Sequence, residues 1–73
     1  MKIFGLQINA EEDGNIFFIA DDVRYSICGF STADRTAEII CRWLEKHQGV
    51  INSVVRRRMV LALSHIIRGL RGQ

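Results

Sequence analysis

Residues 52–71, NSVVRRRMVLALSHIIRGLR, decide the fold, because an arginine triplet runs directly into an apolar stretch whose spacing is helical. Val55, Met59, Ala62 and Ile66 mark one stripe at three- and four-residue intervals, and Val60, Leu63, Ile67 and Leu70 mark a neighbouring one. A strand would repeat every second residue, so this periodicity predicts a helix over 52–70. Asn52 or Ser53 offers a side-chain acceptor for its first unpaired amides. Two adjacent stripes make the apolar surface wide, which implies a helix that is deeply buried or shared with another chain.

Working towards the N-terminus, a second helix is expected over 32–48. Ala37, Ile40, Cys41 and Leu44 share a face there, flanked by Ile39 and Trp43, while Arg35, Glu38, Arg42, Glu45 and Lys46 lie largely elsewhere. Ser31 followed three residues later by Asp34 has the spacing of an N-terminal cap, and Gly49 suits the helix end. Residues 1–30 repeat every second position instead. Phe4, Leu6 and Ile8 alternate with Gly5, Gln7 and Asn9, which predicts a half-buried strand. Asp13 and Gly14 supply a turn pair. The run Ile16, Phe17, Phe18, Ile19 is apolar on both sides and reads as a central strand covered on both faces. After Asp21 and Asp22, the residues Val23, Tyr25 and Ile27 alternate with Arg24, Ser26 and Cys28. The expected architecture is α+β: one domain over 1–73, with a three-stranded antiparallel meander followed by two helices (βββαα).

Seventy-three residues bury only about 60% of the surface that the unfolded chain exposes, so such a domain usually relies on disulfides, a metal or a partner. Two cysteines are too few for a secreted disulfide framework, and the first residues, MKIFGLQINAEEDG, lack an apolar segment of signal-peptide length. The expected setting is a reducing cytoplasm. The apolar run MVLAL is far shorter than the ~20 residues that cross a bilayer, so no membrane partner is expected.

Charge is divided along the chain. Residues 1–30 hold two basic and five acidic side chains, a balance of −3, and residues 31–73 hold eight basic and three acidic, a balance of +5. Such asymmetry points to an acidic partner or to self-association. The triplet Arg56, Arg57, Arg58 sharpens the point. In the first turns of a helix the macrodipole is positive, so cations there are mildly disfavoured. Three consecutive residues also fan over about 200° of the circumference, so they cannot share one solvated face. At least one should pair with an acidic side chain, with the turns at 11–13 and 21–22 as the expected source. The plain reading is a solvated, partly ion-paired helix end. The functional one is a receptor for phosphate or an acidic protein surface, which a guanidinium's planar fork suits.

Other chemistry is sparse. Cys28, Cys41, His47 and His65 follow C-x12-C-x5-H-x17-H, unlike the close ligand pairs of structural zinc sites, and Cys41 reads as a small core residue. Glu11, Glu12 and Asp13 match no calcium-loop spacing, the glycines form no phosphate loop, and nothing sets a nucleophile beside His65. No catalytic residue, metal or cofactor is expected. For nucleic acid there are eight basic residues in the second half; against it stand an acidic first half and strands without a basic and aromatic face.

In size and architecture the chain resembles accessory proteins of bacteriophages and other mobile elements. Some of these, small anti-CRISPR proteins among them, act by occupying a surface of a host complex. The resemblance carries no residue roles. The expected function is therefore a non-enzymatic protein-interaction module, with a small dimeric nucleic-acid binder as the alternative. Arg56, Arg57, Arg58, Arg68 and Arg71 are the candidate partner-binding residues. Phe17, Ile19, Val60, Leu63 and Ile67 are the candidates for self-association into a homodimer.

Overall fold

The computed structural model describes residues 1–27 and 31–72. The strands β1 (Lys2–Ile3), β2 (Leu6–Ala10), β3 (Ile16–Ala20) and β4 (Val23–Ile27) precede the helices α1 (Ala33–Gln48) and α2 (Ser53–Leu70). All neighbouring strands pair antiparallel in the order β1-β2-β3-β4. The sheet thus has four strands rather than the three expected. The extra one arises because the alternating run at 3–9 folds back on itself at Phe4 and Gly5, with φ of 52° and 80°. A two-residue hairpin with both central residues left-handed keeps Ile3 opposite Leu6. The apolar spacing at 6 and 8 survives the fold-back, and Phe4 leaves the strand for an exposed turn.

Two further turns complete the meander. The β2–β3 loop is a turn from Glu11 to Gly14, closed by a Gly14 N–H donated to Glu11 O at 3.0 Å, with Gly14 at φ 88°. The strands rejoin where the Glu11 amide donates to Asn15 O at 2.8 Å. Between β3 and β4, Asp21 and Asp22 take φ of 51° and 65° and make a second two-residue hairpin.

Register aligns Ile8, Phe18 and Tyr25 across three strands, and Ala10, Ile16 and Ile27 beside them. This face carries the core, and both helices pack on it. Trp43 of α1 meets Phe18 edge-on with ring centres 5.2 Å apart and lies 5.3 Å from Tyr25, which places α1 over β3 and β4. α2 lies over β2. The central strand β3 is therefore covered on one face, not two. Ile16, Phe18 and Ala20 are buried, whereas Phe17 and Ile19 are half-buried on the outer face.

Capping fixes where the helices begin. Thr32, rather than Ser31, caps α1 by accepting the Arg35 amide at 3.1 Å, and Asn52 caps α2 by accepting the Val55 amide at 2.9 Å. Gly49, at φ 108°, ends α1 with its amide donated to Glu45 O at 3.1 Å. The helices run antiparallel, because Arg56 meets Glu45 at one end of the pair and Arg68 meets Asp34 at the other. Ala37 and Cys41 of α1 and Ser64 of α2 are buried. Burial pushes the Cys41 thiol above its ordinary 9.0; Arg56 pulls it the other way, and Glu45 and Glu38 add to the rise.

Arg71 closes the structure. Its Nε donates to Gly14 O at 3.1 Å and Nη1 to Ser31 O at 2.9 Å, with Nη2 3.5 Å from Thr36 Oγ1. One side chain just past α2 thus ties the β2–β3 turn to the segment entering α1. The expectation that Cys28 continues the last strand lies outside the described residues.

Candidate functional site

The first half of α2 carries the features that the fold does not use. No residue of α2 before Leu63 is buried. The reason is length: eighteen residues of helix extend about 27 Å, whereas the five residues of β2 extend about 17 Å. With Arg71 anchored at the β2–β3 turn, the surplus projects at the N-terminal end of α2. There Val50 is 96% exposed, Val54 61% and Leu61 62%.

The arginine triplet divides over this projecting end. Arg56 turns inward, and its Nη1 lies 3.1 Å from Glu45 Oε1 of α1. That oxygen accepts no directed hydrogen bond, so the contact is coulombic. The expected partners in the turns at 11–13 and 21–22 are not used. Glu11 pairs instead with Arg24, whose guanidinium carbon sits 3.8 Å from the Phe17 ring centre, and Asp13 accepts from the Asn15 backbone and side chain. Arg57 and Arg58 are exposed and make no ion pair among the described residues.

Beside this ridge runs an open groove of about 550 Å³, walled by Asp34 and Glu38 of α1 and by Ser53, Arg56, Arg57, Val60 and Leu61 of α2. Most of its charges are already engaged: Asp34 by Arg68 at 3.1 Å, Glu38 by Arg35 at 3.5 Å and Arg56 by Glu45. Arg57 is the lining charge left over. A smaller hollow of about 180 Å³ continues round the ridge between Val54, Arg58 and Leu61.

Of the other candidates, Arg68 is exposed but tied to Asp34, and Arg71 is spent on the internal contacts described above. The self-association set separates in the same way. Leu63 and Ile67 are 0% exposed within the single chain, so they are core and offer no surface to a second copy. Phe17, Ile19 and Val60 remain half-buried at the surface, the first two on the outer sheet face and Val60 in the groove.

Leu61 and Val54 belong to neither stripe of the sequence pattern, yet they are the more exposed apolar residues of the first half of α2, with Val55 at 42%. The signal was present in the helical angle. Leu61 lies two residues before Leu63, about 200° away around the helix, so a buried Leu63 sends Leu61 outward. Val54 falls seven residues before Leu61 and shares its face.

Among the described residues no group of His, Cys, Asp and Glu side chains could hold a metal ion, and no helix is long and apolar enough to cross a membrane. Cys41 is buried and free. His47 stacks on Trp43 with ring centres 4.2 Å apart, and His65 is exposed. Comparison of the chain with protein-family models, with curated proteins and with solved structures gives no match.

Proposed function

We propose that this chain is a small non-enzymatic interaction module that acts by occupying a surface of another protein or complex, and that it docks through the projecting first half of α2. The observation that carries the reading is the combination at that end: exposed Val54 and Leu61 beside Arg57 and Arg58, which have no ion pair among the described residues. Neither pair helps the fold. An exposed leucine gains nothing from burial, and two unpaired cations gain nothing from the fold. Both become favourable when a partner covers the apolar side chains and supplies carboxylates to the guanidinium groups. Some mobile-element accessory proteins, a class the chain resembles in size and architecture, work by this kind of occupation.

Site-specific photo-crosslinking tests the reading. A photoreactive side chain at position 61, used in an extract of the source cells, should give discrete protein adducts. The same group at Ser26, exposed on the outer face of β4, should not. Equal labelling from both positions, or adducts with nucleic acid alone, would overturn it.

A further inference from the structure

We infer that the occupant of the α2 ridge is an amphipathic helix of another protein, acidic on the flanks of its apolar face. This rests on the module reading above and adds the chemistry of the partner. Val54 and Leu61 are seven residues apart, about 10.5 Å along the axis, with Arg57 and Arg58 between them. A partner helix laid along the ridge meets this pattern with apolar residues two turns apart and carboxylates at the intervening third and fourth positions. The groove beside the ridge gives such a helix a second wall.

Charge selects among the possible occupants. The groove's acidic groups, Asp34 and Glu38, are held by Arg68 and Arg35, so Arg57 within it and Arg58 in the smaller hollow present positive charge with no ion pair among the described residues. A second copy docking by the same ridge about a twofold axis would set these arginines against their own counterparts. Nucleic acid would satisfy the guanidinium groups but press Val54 and Leu61, exposed in the centre of the ridge, against phosphates. An acidic amphipathic helix satisfies both kinds of side chain together.

Fluorescence anisotropy with synthetic probes tests the assignment. The first probe is a labelled helical peptide carrying leucine at seven-residue intervals with glutamate at the third and fourth positions between. The second has the same composition scrambled to remove the apolar face, and the third is a labelled DNA duplex. Only the first should bind, Leu61→Asp should abolish binding, and Arg57→Glu with Arg58→Glu should weaken it by roughly tenfold or more. Ser26→Asp should bind as the wild type does. All these positions are exposed, so circular dichroism should show the variants folded. Equal binding of the scrambled peptide, tighter binding of DNA, or no binding of the first peptide would overturn the proposal. So would a dimer, by light scattering without peptide, that Leu61→Asp dissolves. Protein crosslinks from position 61 without peptide binding would remove the acidic helix and leave the module reading standing. Peptide binding without such crosslinks would count against the module reading alone.

Discussion

Replacing Arg71 by alanine should destabilise the fold by about 2 kcal/mol. The side chain makes two well-placed hydrogen bonds, to Gly14 O at 3.1 Å and Ser31 O at 2.9 Å, and its 3.5 Å approach to Thr36 Oγ1 is too long to count as a third. Hydrogen bonds from a charged donor contribute about 1.5–3 kcal/mol each, and partial exposure puts these at the lower end. Freeing a long arginine side chain returns ~1 kcal/mol or more of rotamer entropy, which sets the net loss near 2. For a domain this small that is a fall of about 8–16 °C in Tm. Arg71→Lys should recover about half, because an ammonium group cannot span two carbonyls with a planar fork. Urea denaturation followed by circular dichroism measures both variants. Hydrogen exchange should also show the Gly14 amide losing protection in the alanine variant before the amides of β3. A loss below about 0.5 kcal/mol, or a lysine variant as stable as the wild type, would refute the view that this side chain clamps the β2–β3 turn to the segment entering α1.

Three other outcomes follow from local features. Ser64 of α2 is buried and its Oγ has no partner among the described residues, so Ser64→Ala removes a desolvated hydroxyl and improves helix propensity. Thermal denaturation should show a gain of about 1 kcal/mol, and a loss of that size would mean the hydroxyl is bonded after all. Asp21 and Asp22 hold a turn with positive φ at both positions, which asparagine and glycine adopt more readily. Asp21→Asn with Asp22→Gly should therefore stabilise by about 0.5–1 kcal/mol in urea, and destabilisation would contradict the turn assignment. The Cys41 thiol has its pKa raised above 9.0 in the folded state. Its contribution is complete below pH 9, and declines above it as the unfolded chain ionises first, by at most about 1.4 kcal/mol per pH unit. Cys41→Ala should flatten the alkaline decline in stability relative to wild type, and an identical slope would show that the thiol ionises alike in both states.

Much of this architecture was legible because its signals are local. The period at 55–70 and the amide acceptor Asn52 mark α2 without reference to anything else in the chain. The hairpin at Phe4 and Gly5 was hidden by the same kind of signal. A two-residue turn preserves the inward spacing of Leu6 and Ile8, and a phenylalanine at φ 52° is not a residue type that announces a turn. The ion pairs were beyond sequence reasoning for a different reason. The acidic turns at 11–13 and 21–22 are richer in charge than Glu45, but the antiparallel packing of α1 and α2 brings Glu45 alongside Arg56. Arg71 shows the same limit: nothing in its sequence neighbourhood separates a clamp from the solvated arginines at 57 and 58.

That separation is what narrows the candidate site. Five arginines were candidates in the sequence, the triplet foremost, and the fold assigns three of the five work inside the molecule: Arg56 with Glu45, Arg68 with Asp34, and Arg71 with Gly14 and Ser31. Arg57 and Arg58 are left without an ion pair among the described residues, beside Val54 and Leu61, which stay exposed. Natural sequences tend to agree with their folds at every level, and positions that break local rules without compensation are expected where another requirement acts. The compensation would come from outside the chain. Leu61→Asp should therefore abolish binding and the paired arginine reversals weaken it, while stability changes by no more than about 0.5 kcal/mol, a combination that a purely structural role for this helix end cannot produce.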